Sequence, residues 1–294
     1  MSIDPETVAR FLEETAAEEI LPRFRRLADH EVREKEGGEL VTAADVASEA
    51  RLTRVLRDYL PGSQVVGEEA VAERREVLDL LRAPDPVWLI DPIDGTGNFA
   101  AGRRAFAVMV ALVERGAICA AWIHQPNLAV TALAEAGGGA WIGSHRLRAA
   151  AAVPLAEMRG TLHADSFGGR ALRRRVQEVR ERIGATSSLR CVGAEYVRLA
   201  AGSFHGALVS QATGQEASAG AFHYGLFTKM MPWDHAPGVL LYGEAGGRAQ
   251  TFDRRVYDPS RPDTPGLLLA PDAASWEALH EVLLGVPDRP QDRH

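Results

Sequence analysis

The segment Val87-Trp88-Leu89-Ile90 constrains this chain more than any other, because four successive apolar residues lead directly into two acids. A short, partly β-branched run without polar alternation describes a strand buried on both faces. Asp91-Pro92-Ile93-Asp94-Gly95-Thr96-Gly97-Asn98-Phe99 follows at once. Two carboxylates three residues apart thus end a core strand, just before a glycine-rich turn. Packing alone gives no reason for that charge. Carboxylates beside Gly-Thr-Gly amides do suit a hard cation next to a phosphate. Pro92 restricts the backbone, Gly95 admits an unusual φ, and Thr96 offers both a hydroxyl and an amide.

Around this segment the patterns predict alternating helices and strands. Val8, Phe11, Leu12, Ile20, Leu21, Phe24 and Leu27 mark an amphipathic helix with a kink at Pro22. Glu36-Gly37-Gly38-Glu39 reads as a turn, and Thr42 caps a helix running to Leu60, with Asp45 in its first turn. Gln64-Val65-Val66 is a short strand leading into Gly67-Glu68-Glu69, and residues 73–82 form a further helix. Strands over 105–113, 118–124 and 130–134, separated by Glu114-Arg115-Gly116 and Pro126-Asn127, form an antiparallel meander, after which Gly137-Gly138-Gly139 is a loop. The second half predicts strands at 189–192, 207–209 and 267–270, helices at 170–182, 194–201, 234–245 and 273–284, and a mobile loop at 211–220. The expected architecture is therefore layered α/β. An α+β part over residues 1–150 and an α/β part over 151–294 meet near 149–155, with the active site between them.

Acids collect at the ends of these elements. Glu68, Asp91 and Asp94 follow strands, and Trp233-Asp234-His235-Ala236-Pro237-Gly238 sets Asp234 at a helix start. A single acid at a helix start is as readily a cap, and Gly67-Glu68-Glu69 alone is as readily a solvated turn. In combination, such oxygen ligands suit Mg²⁺ or Mn²⁺ and poorly suit zinc. Cations held there would bridge a phosphate, activate water and stabilise the leaving alkoxide. That chemistry needs no histidine base, so His124, His163, His205 and His223 read as structural or surface residues.

Gly67-Glu68-Glu69, Asp91–Phe99 and Trp233–Gly238 together resemble the three signatures of the inositol monophosphatase-like phosphatases, in the family's order. Lys35, Thr42 and Asp45 resemble its upstream Lys…Val-Thr-x-x-Asp element. The resemblance runs from the first helix to the strand at 267–270. It implies a sugar-phosphatase αβαβα sandwich, a homodimer, and two or three Mg²⁺ ions. By the same resemblance, Glu68, Asp91 and the Ile93 carbonyl would hold one cation, and Asp91, Asp94 and Asp234 a second, with a weaker third near Glu68. A nucleophilic water would lie between Glu68 and Thr96, with Asp45 bonded to Thr96. Amides of Gly95 and Thr96 would receive phosphate oxygens.

The chain also departs from that family. Inositol phosphatases usually carry a glutamate seven residues before the last metal aspartate, and here Phe227 stands there. Gly193-Ala194-Glu195 resembles a Gly-x-Ala sugar-binding element, with Glu195 replacing a small residue. Glu195 is expected either to contact substrate hydroxyls, as Gly193 would by resemblance, or to serve as a first-turn helix charge. Lys229 reads as solvent-facing in preference to neutralising a second anionic group, and Phe222, Tyr224 and Phe227 as core in preference to walls of the pocket. Gly97 is smaller than the residue most family members place there and is expected to open the pocket mouth.

The expected reaction is hydrolysis of a phosphate monoester of a small polyol or sugar, with inositol 1-phosphate the leading substrate. A 3′(2′),5′-bisphosphate nucleotide, fructose 1,6-bisphosphate or histidinol phosphate are the alternatives. A non-catalytic regulatory homologue is the rival from another class. Thirty-three Lys and Arg against forty Asp and Glu give a net charge of −7, which argues against nucleic-acid binding. Arg173-Arg174-Arg175 accordingly reads as a solvated helix face. Cys119 and Cys191 lie in apolar stretches and read as reduced core thiols. The N-terminus lacks a basic then apolar leader pattern, and no run approaches a membrane span, so the expected compartment is the cytoplasm.

Overall fold

A computed structural model describes residues 3–35, 38–162, 170–213, 220–261 and 263–285. His163, part of the 36–39 turn and most of the expected 211–220 loop lie outside the described residues. Helix α1 (Pro5–Thr15) is capped by Asp4 and continues as a π-helical turn to Ile20. It gives way to turns at Leu21, so Pro22 ends the helix where a kink was expected. Strands β1 (Val32–Glu34) and β2 (Leu40–Thr42) pair as a hairpin. Helix α2 (Ala43–Tyr59) then starts on a capping box: Thr42 accepts the Ala44 amide, and Asp45 accepts the Thr42 amide at 2.8 Å.

Strand β3 (Gln64–Gly67) leads into the one-and-a-half-turn helix α3 (Glu68–Glu73), and a 3₁₀ stretch over Arg75–Arg82 replaces the predicted α-helix. β4 (Val87–Asp94) and the short α4 (Thr96–Ala100) carry the acidic segment. The meander follows as β5 (Ala107–Glu114), β6 (Ala117–Gln125) and β7 (Val130–Glu135), extended by β8 (Gly139–Ile142) and β9 (His145–Arg146). The second half contains β10 (Arg159–Leu162), α5 (Arg170–Val179), β11 (Ala185–Ser187), α6 (Val192–Ala201) and α7 (His205–Thr213). It closes with β12 (Tyr224–Phe227), α8 (Pro232–Glu244), β13 (Arg248–Thr251), β14 (Leu267–Ala270) and α9 (Ala273–Leu284).

Among the described residues the strands form a hairpin and two larger sheets, one of seven strands in the order β3-β4-β5-β6-β7-β8-β9 and one of five in the order β11-β10-β12-β14-β13. Three apolar layers hold them together. Trp88 and Ile90 of β4 pack with α1 and α2, while Val87 and Leu89 face α6, α8 and the second sheet. That division is the period-two alternation of a strand buried on both faces. On the far side of the five-stranded sheet, Tyr224, Leu226 and Leu268 pack with Trp276 and Leu279 of α9 and Val176 of α5. The order of layers is helix, sheet, helix, sheet, helix, the αβαβα sandwich that the family resemblance implied.

Two predicted strands differ. Val192 opens α6, and residues 207–209 lie inside α7. Arg174 is exposed as expected, but Arg175 donates to the Val282 carbonyl at 3.0 Å and docks α5 onto α9. The side chain of Arg173 lies outside the described residues.

Candidate active site

Regular strand geometry would point residues 91 and 94 to opposite faces. The register shows how β4 avoids this: Asp91 pairs with Met109 and Asp94 with Ala107, so three steps on β4 span two on β5. Pro92, which has no amide hydrogen to offer the ladder, sits inside that bulge. Both carboxylates consequently reach one cavity of about 280 Å³. The chain then turns at Gly95, whose φ is +84° and where an added Cβ would lie 3.0 Å from the Ala105 carbonyl oxygen.

Thr96 begins α4, and its hydroxyl lies 3.1 Å from Asp45 Oδ1 and 2.9 Å from the Ile93 carbonyl oxygen. The capping box of α2 therefore also delivers Asp45 to the site. Asn98 Nδ2 donates to the carbonyls of Ala105 and Leu189, each at 2.8 Å, tying the glycine loop to the segment before α6. From that segment, the Gly193 amide and the Cys191 thiol approach Asp94 Oδ2 at 2.7 and 2.9 Å.

Glu68 opens α3 and meets Lys35 at 2.9 Å, while Lys35 also bonds Glu69 at 2.7 Å. Behind it, the Glu49 carboxylate receives the amides of Glu69 and Ala70 at 2.7 and 2.8 Å and so caps α3. Asp234 lies in the first turn of α8, two residues after Pro232 at N1. Glu68, Asp91, Asp94 and Asp234 all line the cavity, together with Gly95 and Thr96.

Four carboxylates around so small a space carry an electrostatic cost. Burial first, then the neighbouring acids, push Asp91 well above the ordinary carboxylate range. Asp234 is driven the same way by burial, against the opposing pull of Lys229. Burial also raises Asp94, partly offset by its bonds from Cys191 and Gly193. Asp45 is pushed up to about 7, chiefly by burial. Asp91 Oδ1 is buried without a hydrogen-bond partner among the described residues. Among the described residues no three His, Cys, Asp or Glu side chains close into a preformed metal cage. What the acids offer is an open wall of oxygen donors.

Several residues stand elsewhere than expected. Glu195 is fully buried and outside the cavity lining; its carboxylate receives the Leu189 amide at 2.5 Å and forms an ion pair with Arg198. It thus braces the 189–193 segment from behind rather than facing the cavity. Gly193 touches Asp94 through its amide and has Met109 Sδ at 2.8 Å from where a Cβ would sit, so close packing requires its small size.

Lys229 does not simply face solvent. It lines the cavity and pairs with Glu39. Phe227 is buried against Tyr196, as core filling predicts, and also walls the cavity. Cys119 is only partly buried, and Cys191 is an active-site neighbour as well as a core thiol. His124, His205 and His223 lie outside the cavity lining. Sequence reasoning missed Glu49, Asn98 and Glu39, whose partners are remote along the chain.

A layered sandwich with acids and a threonine hydroxyl gathered at its strand ends defines the class, a phosphatase. The model of the inositol monophosphatase family matches residues 4–286. A fructose-1,6-bisphosphatase/inositol-1-monophosphatase of Thermotoga maritima is 29% identical over 216 residues, covering 73% of this chain and 72% of the relative. The Nus factor SuhB of Escherichia coli K12 is 31% identical over 228 residues, covering 76% and 75%. Among solved structures, a Thermotoga maritima IMPase superposes with a TM-score of 0.74 at 22% identity, covering 95% of this chain and 96% of the other. The chain belongs to the inositol monophosphatase family.

Proposed function

We propose that the chain hydrolyses a phosphate monoester of a small polyol or sugar with Mg²⁺, and that inositol 1-phosphate is the first substrate to assay. The observation that carries this reading is that Glu68, Asp91, Asp94 and Asp234 share one cavity with Thr96, whose hydroxyl is bonded to the buried Asp45. The donor set fits a hard cation. It is made of carboxylate oxygens and the Ile93 carbonyl, and Asp91 Oδ1 has no partner to lose among the described residues. Glu68, Asp91, Asp94, Asp234 and the Ile93 carbonyl would hold two or three Mg²⁺ ions, with Mn²⁺ as a substitute. When bound, such cations neutralise phosphate charge, acidify a water and stabilise the leaving oxygen.

The chain's own groups then have definite tasks. Thr96 Oγ1 can direct its proton to Asp45 and present a lone pair to an attacking water. Asp45, held near 7, is poised to take up a proton through that hydroxyl at neutral pH. The amides of Gly95 and Thr96, on the cavity wall, would orient phosphate oxygens. Gly193 and Cys191 fix the rotamer of Asp94. Phe227 excludes water from one side.

The name of the Nus factor SuhB raises a regulatory reading. Four acids in one cavity favour turnover, because a scaffold gains nothing from gathering like charges. Assaying inositol 1-phosphate, a 3′(2′),5′-bisphosphate nucleotide, fructose 1,6-bisphosphate and histidinol phosphate with and without Mg²⁺ tests the proposal. Mg²⁺-dependent phosphate release from at least one supports it; none from any, at any Mg²⁺ level, contradicts it. The family resemblance supports a homodimer, and among the described residues no helix is long and apolar enough to cross a membrane. Sedimentation velocity tests the assembly.

A further inference from the structure

Lys229 is the one cation among the described residues that line the cavity, and its carbonyl and its side chain are held very differently. The carbonyl oxygen lies 2.7 Å from His235 Nε2. A carbonyl cannot donate, so Nε2 carries the hydrogen, and Nδ1 accepts from the Tyr196 hydroxyl at 3.0 Å. His235 and Tyr196 are both fully buried, which anchors the Lys229 backbone on the core. The ammonium group reaches the cavity mouth and pairs with Glu39, and both side chains are about half exposed, at 54% and 46%. An ion pair this exposed is weak and readily exchanged.

The cavity therefore carries both signs of charge. Glu68, Asp91, Asp94 and Asp234 line it, and so does Lys229, which pulls on Asp234 and pairs replaceably with Glu39. Phe227, which also lines the cavity, offers no acceptor for ring hydroxyls. At Gly97 an added Cβ would meet nothing within 4 Å among the described residues, so the lining is open there. An ester whose scissile phosphate is held by the acids sets its organic part against the rest of this lining. There the compact ammonium of Lys229 favours negative charge.

We infer that the physiological substrate bears a second anionic group, phosphate or carboxylate, which Lys229 recognises by releasing Glu39. This rests on the phosphatase reading above and narrows its substrate class. The test uses three esters that share a C1 phosphate: glucose 1-phosphate, glucose 1,6-bisphosphate and glucuronic acid 1-phosphate. Release of the C1 phosphate is measured as kcat/KM with Mg²⁺ for wild type, Lys229→Met, Lys229→Arg and Glu39→Gln. The expected result is a wild-type preference for one or both doubly anionic esters. Lys229→Met should reduce that preference about tenfold or more, and Lys229→Arg should restore most of it. Glu39→Gln should increase it.

A loss in Lys229→Met that is equal for all three esters would overturn the inference, because it would mean that Lys229 only offsets the acids at the inner wall. A wild type that turns over the esters without preference would also overturn it. Which doubly anionic ester is preferred separates phosphate from carboxylate. No turnover of these three esters by a wild type that hydrolyses a substrate of the panel above would overturn this inference alone, as would turnover with an unchanged ratio, whereas no turnover of either set removes the phosphatase reading as well.

Discussion

Gly95 shows how much one residue carries. Its φ of +84° and the Ala105 carbonyl 3.0 Å from a would-be Cβ leave room for no other side chain. Gly95→Ala should lower unfolding free energy by about 1–3 kcal/mol, read from urea denaturation. An unchanged midpoint would show that the loop relaxes freely. Thr96 is a chemical case. Thr96→Val keeps the shape and removes the hydroxyl that reaches Asp45, so kcat should fall on the order of 10²-fold in steady-state assays, with a smaller change in KM. At this scale the segment from Asp91 to Phe99 was legible because its parts are adjacent. The Cys191–Asp94 and Lys229–Glu39 contacts were not, since they join residues 97 and 190 positions apart. Glu195 misled for a related reason: its charge looked available until Arg198, three residues on, was seen to share its burial.

At the scale of elements, the bulge in β4 and the cap on α3 set where the acids stand. The cap has a pH signature. Burial pushes Glu49 up to about 7 from an ordinary value of 4.5. Below 4.5 the group is protonated in the folded and the unfolded chain. Between 4.5 and about 7 only the unfolded chain ionises freely, so folding stability falls as pH rises through that window. In chelator-treated protein this contribution should approach ~3 kcal/mol, and Glu49→Gln should flatten the slope of the melting temperature against pH. A slope identical in the mutant would refute the assignment. Elements with strong periodicity or caps, such as α1, α2 and the meander, were readable from sequence. The short apolar runs at 189–192 and 207–209 were not, because a few apolar residues describe a buried strand and a buried helix turn equally well.

Across the whole molecule, the middle helical layer joins the two sheets and brings remote residues to one cavity. α8 carries Asp234 and packs on α6, which carries Gly193, and Gly238 makes that contact close: a Cβ there would lie 2.0 Å from the Tyr196 ring. Gly238→Ala should cost roughly 1–3 kcal/mol by overpacking and weaken Mg²⁺-dependent activity in parallel, through displacement of Asp234. Thermal melts and activity at saturating Mg²⁺ would check both effects. The layered order was legible from the alternation of elements and the family resemblance, whereas β12 and β13 gave no clear pattern, because Gly225 interrupts one and Arg248 and Gln250 make the other polar.

On the proposed reading, acids remote from one another in the sequence hold the cation that makes a phosphate monoester labile. Phosphate release against Mg²⁺ concentration, for wild type and Asp94→Asn, tests it most directly. The account predicts Mg²⁺-dependent turnover in wild type and a loss on the order of 10²-fold or more in Asp94→Asn, with a higher Mg²⁺ requirement. Equal activity of the two proteins, or turnover indifferent to Mg²⁺, would contradict it.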